Sequence, residues 1–258
     1  MSMPVILAGC PGLTRDNLEL GALSGCPSQT AAMLAENQSQ PSALSDTPVL
    51  FCNLNVLRDS QDKSAGVSAL GSRLCLYLAE RETNPEKREK LAVEGVNFAE
   101  AALRQGGDSG VVHYYLALNL GLAVRDHIIL AMANIGRLEN EMKRALALSP
   151  EIDDGGPLRI LGMLYLKAPA WPKGMGDRDK ALELLERAVK QYPGHPLNHL
   201  FYAQALWDES DETVSPKVKD EIALGETLLA EGDWGYSKTP WKIEFEAFNQ
   251  EIKEAGGN

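Results

Sequence analysis

Apolar positions recur with a helical period from about Lys63 onward, and the two-residue alternation of a half-buried strand does not appear. The pattern predicts helices over 64–82, 86–105, 110–124, 127–148, 157–167, 177–191, 196–209, 216–231 and 241–254. Proline punctuates the starts: Asn84-Pro85, Gly156-Pro157, His195-Pro196, Ser215-Pro216 and Thr239-Pro240 each place it at a first turn, where its missing N–H costs nothing. In the last predicted helix Trp241, Phe245, Phe248 and Ile252 form a single apolar stripe, with Lys242, Glu246 and Glu251 facing away. One stripe on a terminal helix is the pattern of an end cap.

Small residues reveal a repeat. Ala102, Ala145, Ala188 and Ala230 stand at intervals of 43, 43 and 42 in the second helix of successive pairs. Gly71, Ala117, Gly162 and Ala203 occupy the matching place in each first helix, preceded by Leu70, Leu116, Leu161 and Tyr202. Small residues let two helices approach closely while larger apolar neighbours fill the adjoining gaps, which is the arrangement of a tetratricopeptide repeat. That repeat ordinarily has a period of about 34 residues. The spacing of 15 from Ala102 to Ala117 and from Ala188 to Ala203 is the ordinary one. Within the pairs, from Gly71 to Gly95, Ala117 to Leu138, Gly162 to Ala181 and Ala203 to Ala223, the spacings run 24, 21, 19 and 20, so the surplus lies between the two helices of each pair. The expected fold is all-α: a tetratricopeptide-like solenoid of about four expanded helix pairs and a C-terminal capping helix, spanning 61–255.

The first sixty residues read differently. Between Pro11 and Pro48 Gly, Pro, Ser, Gln and Asn dominate, so 11–60 is expected to be a polar tether or a loose N-terminal wrap. Residues 1–10 end in Leu7-Ala8-Gly9-Cys10, the form of a bacterial lipobox, although no Lys or Arg precedes Arg15. Cys26, in Leu23-Ser24-Gly25-Cys26, has a comparable box, but Arg15, Asp16 and Glu19 interrupt the apolar run before it.

Composition narrows the partners. The formal charge is −11, and no stretch collects Lys and Arg without acids among them, which argues against nucleic acid as a ligand. Of the four cysteines, at 10, 26, 52 and 75, no two form a C-x-x-C pair, so zinc-knuckle spacing is absent. Lipid on Cys10 would leave three, which argues against a fully paired disulfide framework. Cys75, within a helical apolar pattern, reads as a core residue.

Candidate chemistry is sparse. His195 and His199 stand four apart, but no Glu follows the first, so zinc-peptidase logic fails; His195 reads as a helix cap and His199 as an interior or groove residue. His113, Tyr114 and Tyr115 form a candidate polar cluster or simple helix packing. No dinucleotide fingerprint, Walker sequence or nucleophile elbow occurs, and Lys173–Asp177 reads as a turn and cap. The chain is therefore expected to be non-catalytic, with no cofactor and no metal. The register places Ser68, Ser72, Tyr114, Leu118, Arg159, Met163, Leu200, Gln204 and Trp207 on a groove, some of them shared with the core. Such a lining suits a peptide, a protein loop or an apolar ligand with one acid group. The segment Lys167–Asp177, stiffened by two prolines and anchored by Trp171, is either a latch within the third pair or a partner-contacting loop.

The stretch from Asp153 to Trp207, with Val111–Gly121, resembles the T component of tripartite ATP-independent periplasmic transporters, and the resemblance runs from about Lys63 to Asp233. It implies a lipid-anchored periplasmic protein with Cys10 as the lipidated residue. It further implies a ring-like homotrimer with a channel through each subunit, a periplasmic solute-binding protein as partner, and passage of an apolar ligand. The alternative is a general tetratricopeptide scaffold docking a peptide or helix, in the cytoplasm and monomeric.

Overall fold

The computed structural model describes residues 30–36, 42–169, 174–210 and 214–255. Four helix pairs carry the solenoid: α3 (Ala65–Arg81) with α4 (Pro85–Arg104), α5 (Gly110–Val124) with α6 (Ile128–Leu148), α7 (Gly156–Lys167) with α8 (Arg178–Gln191), and α9 (Pro196–Glu209) with α10 (Pro216–Glu231). A 3-10 turn at Gly235–Ser237 leads to α11 (Lys238–Ala255), which closes the far end against α9 and α10. Each helix packs on its sequence neighbour, and α3 also meets α5, as α7 meets α9, so the first helices of successive pairs stack. The molecule is a tetratricopeptide-like helical-repeat solenoid.

The repeat logic is visible in the packing. A Cβ on Gly71 would lie 2.6 Å from the Phe98 ring, and one on Gly162 would lie 2.5 Å from Leu185 Cγ, so both positions need glycine for close helix approach. The matching alanines Ala102, Ala145, Ala188, Ala117 and Ala203 are fully buried. Ala230, expected to match them in the fourth pair, is exposed, and Gly225 takes the close approach there, a Cβ on it falling 2.7 Å from the Phe245 ring. Starts are capped as the punctuation predicts. Asn84 accepts from Lys87 N (3.0 Å), Asp177 from Lys180 N (3.0 Å) and Ser215 from Val218 N (3.3 Å), with Pro85 and Pro216 at the first turns.

Over 11–60, expected as a polar tether or a loose N-terminal wrap, the described part carries regular structure. Two further helices, α1 (Ala31–Glu36) and α2 (Thr47–Asp59), pack on α3. Leu50, Leu54 and Leu57 of α2 are fully buried. They recur at i, i+4 and i+7 after Pro48, a helical stripe that covers the otherwise open flank of the first pair. The folded unit thus begins before residue 61.

The far end of the chain returns to its start. Arg81, at the end of α3, donates to the carbonyls of Ala43 (2.6 Å) and Ser45 (2.7 Å) and to Thr47 Oγ1 (3.0 Å), and its guanidinium lies 5.1 Å over the Tyr236 ring. The Tyr236 hydroxyl donates to the Arg81 carbonyl at 3.4 Å. Residues 155 apart in sequence therefore meet across a narrow seam.

Candidate functional site

The residues that the sequence assigns to a groove divide into two sets. Tyr114 and Arg159 are 2% exposed and belong to a polar knot in the interior. The knot forms at the connection between α6 and α7, where Asp153 (φ 53°), Asp154 (φ 47°) and Gly155 (φ 83°) follow one another in left-handed conformation. Such a run is costly for non-glycine residues and needs support. Arg159 supplies it, donating to the Asp153 carbonyl (3.2 Å) and to Asn198 Oδ1 (2.8 Å) while pairing with the Asp153 carboxylate. The Tyr114 hydroxyl donates to the same carboxylate at 2.9 Å, and Asn198 Nδ2 donates to the carbonyls of Asp154 (3.0 Å) and Tyr192 (2.8 Å). Each of these Arg159 contacts is internal. The charge expected to line the groove instead fastens a turn, because its carboxylate partner comes from an irregular segment only six residues away.

Met163 is half-buried and packs against the cluster of Leu185, Tyr202 and Ala205. Ser68, Ser72 and Leu200 are buried, the backbone and hydroxyl of Ser72 both accepting from Asn119 Nδ2 (2.9 and 3.1 Å). Cys10 and Trp171 lie outside the described residues.

The histidines are all held by the protein itself. His195 caps α9, its Nδ1 accepting from Leu197 N (3.2 Å), and its ring lies 5.4 Å from Trp234 and 5.0 Å from Trp241. Burial, followed by the Arg159 and His199 charges, pushes its pKa down to about 2, so it stays neutral. His199 sits between Glu221 (Nδ1, 2.7 Å) and the Pro193 carbonyl (Nε2, 2.8 Å). A carbonyl and an ionised carboxylate both accept, an arrangement that favours the doubly protonated ring. Burial opposes that charge, but the Glu221 hydrogen bond and the Pro193 carbonyl outweigh it and raise the pKa. His113 stands between Glu141 (2.6 Å) and Asp108 (2.8 Å), while Tyr115 meets Tyr77 hydroxyl to hydroxyl at 2.9 Å. Of the two readings of His113, Tyr114 and Tyr115, helix packing is the one found: each polar group has its own partner, and the Tyr114 and Tyr115 rings meet edge-on with centres 5.4 Å apart. Among the described residues no group of three or more His, Cys, Asp or Glu is placed to hold a metal ion, and no helix is long and apolar enough to cross a membrane.

The second set, Gln204 and Trp207, lies on α9, one turn before and directly before Asp208, which borders a cleft that neither of them lines; Trp207 packs in the core with Val218, Phe245 and Phe248. The cleft has a volume of about 360 Å³ and opens where α7, α8 and α9 meet, between Tyr165, Leu166 and Ala168 on one side and Gly176–Asp179 and Asp208 on the other. Its floor is built by two backbone bonds, Gly176 N to the Pro169 carbonyl (2.8 Å) and Asp177 N to the Tyr165 carbonyl (3.0 Å). Asp177, Asp179 and Asp208 line the cleft together with Arg178, whose Nε pairs with Asp208 at 2.8 Å, while Asp177 Oδ1 accepts from Lys180 N at 3.0 Å. Gln204 precedes Asp208 by one helical turn and so shares its face. Trp207 is 7% exposed and meets Phe248 edge-on, ring centres 5.6 Å apart. Gln204 Oε1 and Trp207 Nε1 are both buried and neither has a hydrogen-bonding partner. A buried donor and a buried acceptor left unmade within one turn are expensive. They are also the complement of a peptide unit, which offers one N–H and one C=O.

One surface feature was not singled out by sequence. At the start of α6, Ile128 is 79% exposed, Ile129 81%, Leu130 49% and Met132 40%. Helical periodicity marks these residues as apolar without saying whether the burying surface belongs to the same molecule.

No family model matches the chain, and no curated protein matches it. Among solved structures it is similar to a thermophilic TPR (tetratricopeptide-repeat) protein of Thermus thermophilus, with 20% identity over 63% of this chain and 82% of that one and a TM-score of 0.43.

Proposed function

We propose that the chain is a non-catalytic docking scaffold that takes a peptide segment of a protein partner along α9. The observation that carries this reading is the unpartnered pair of Gln204 Oε1 and Trp207 Nε1 on the helix that brings Asp208 to the acidic cleft; both atoms are closed to solvent, so docking requires local opening around α9. A peptide N–H to Gln204 and a peptide carbonyl to Trp207 complete both groups. Asp177, Asp179 and Asp208 favour a Lys, Arg or amino terminus in the neighbouring residue. The test is selection from an unbiased peptide library against the whole chain, then calorimetry on the selected peptide. Trp207→Phe keeps an aromatic ring against Phe248 and removes the N–H together with part of the indole; Gln204→Leu removes the whole carboxamide, acceptor and donor, at similar volume. Each is expected to weaken binding about 5- to 10-fold, the worth of roughly one hydrogen bond. Unchanged affinity in both variants would refute the assignment.

A second reading rests on a different observation. Cys52 is held in a disulfide, while Cys75 is a free, buried thiol. Disulfides persist in oxidising compartments, which supports the periplasmic envelope protein that the transporter T-component resemblance implies, with Cys10 lipidated and a solute-binding protein as partner. The mass of the N-terminal peptide from the membrane fraction of source cells tests it. A peptide beginning at lipid-modified Cys10 is the expected result, and an unmodified peptide from the soluble fraction is the refuting one.

A further inference from the structure

Helix α6 has 21 residues, whereas α7, which turns back from its C-terminal end, has 12. The first two turns of α6 therefore extend past α7. There Ala131, Ile135 and Leu138 are partly buried on the α5 side, Leu138 reaching Gly121. The opposite face carries Ile129, Met132, Ala133 and Gly136 at i, i+3, i+4 and i+7, all exposed and all apolar, flanked by Ile128 and Leu130. A contiguous apolar face of this kind marks an association surface.

Gly136 adds an independent observation. Mid-helix glycine weakens a helix, and at Gly71, Gly162 and Gly225 close packing accounts for it, Cβ atoms there standing 2.6, 2.5 and 2.7 Å from a neighbouring side chain, whereas Gly121 leaves ordinary contact at 3.4 Å. A Cβ on Gly136 would meet nothing within 4 Å. Among the described residues nothing accounts for the gap. A second helix crossing at this point does.

We propose that this face is an interface with a second copy of the chain, the two α6 helices crossing antiparallel about a twofold axis beside Met132 and Ala133. That axis sets Ile129 of each copy over Gly136 of the other, so a knob fills a gap twice by one symmetry operation. Charge agrees with the same pairing. The exposed Lys143 and Arg144, farther along α6, come towards the other copy's Asp126 and Glu89, which are 43% and 42% exposed beside the start of the helix. In their own chain Lys143 and Arg144 pair with Glu139 and Asp108, and Asp126 and Glu89 with Arg88 and His127, so the contact adds to or exchanges surface pairs. A parallel arrangement would instead set like charges side by side.

Sedimentation velocity on the full chain across a concentration series tests the pairing. A dimer is expected, and Gly136→Leu, made where a side chain meets open space, is expected to raise its dissociation constant at least tenfold while leaving the far-UV circular dichroism unchanged. Ala133→Cys is expected to give a disulfide-linked dimer under mild oxidation that the parent chain does not give. A monomer at all concentrations overturns the proposal, as does a dimer indifferent to Gly136→Leu. So does a trimer, and so does a monomer that floats with phosphatidylcholine vesicles through this face, which would make it a lipid surface.

Discussion

Replacing Arg159 by methionine separates a structural arginine from a ligand-binding one. Methionine keeps much of the aliphatic volume and removes the guanidinium. The variant loses the hydrogen bonds to the Asp153 carbonyl and Asn198 Oδ1 and the ion pair with the Asp153 carboxylate. Breaking a buried charge pair costs about 3–5 kcal/mol, but the Asp153 side chain is 47% exposed and keeps water and the Tyr114 hydroxyl. A discounted figure of ~3 kcal/mol follows for the bonds lost, of which the left-handed Asp153 and Asp154 account for part through lost support. For a chain of this size ~3 kcal/mol corresponds to a fall in Tm of about 6–12 °C. Urea unfolding followed by circular dichroism measures it, with two comparisons. Tyr114→Phe, which removes one hydrogen bond to a half-exposed acid, is expected to cost only ~1 kcal/mol. Asp153→Asn, tolerated in left-handed conformation, is expected to couple to Arg159→Met by ~1–2 kcal/mol in a double-mutant cycle. A loss below ~1 kcal/mol with no coupling would refute the knot and return Arg159 to a groove.

His199 gives a pH dependence of known sign. Its folded pKa is raised above the ordinary 6.5, so its contribution is fully present below 6.5 and is lost as pH rises through the higher folded value. The Tm difference between the parent chain and His199→Gln should therefore be largest in mildly acidic buffer and shrink with rising pH; a difference that grows would contradict the imidazolium assignment. Gly162→Val drives a side chain into Leu185, which is fully buried, and is expected to cost about 1–3 kcal/mol by chemical denaturation; a neutral result would show that α7 and α8 are not in the close contact described.

The repeat is legible in sequence because its cause is local. Close helix crossing demands a small residue, and Ala102, Ala145 and Ala188, all fully buried, display that demand at intervals of 43, whereas in the fourth pair the close approach falls on Gly225 and Ala230 is exposed. The helix starts follow from proline and capping chemistry in the same way. Helix α2 was hidden by composition: the stripe of Leu50, Leu54 and Leu57 is present, but it follows a Gly-, Pro- and Ser-rich stretch that reads as tether. The groove assignment misplaced Tyr114 and Arg159 for a different reason. Small-residue register says which faces of a pair meet, not what covers the remaining face. The covering group here is a turn whose left-handed residues Asp153 and Asp154 carry no strong sequence signature. Gln204 and Trp207 were named as groove residues, yet their missing partners are a three-dimensional fact. The exposed start of α6 eluded sequence because the same periodicity serves an internal core and an external interface.

Peptide docking along α9 rests on the unmade hydrogen bonds of that helix. Its most direct test is the ¹⁵N–¹H resonance of the Trp207 indole, assigned by comparison with Trp207→Phe, during titration of the library-selected peptide. A scaffold that docks its partner there predicts a saturable downfield proton shift of that resonance and slowed exchange of its N–H with water. Saturation of the peptide site with the Trp207 resonance unmoved would contradict docking at α9.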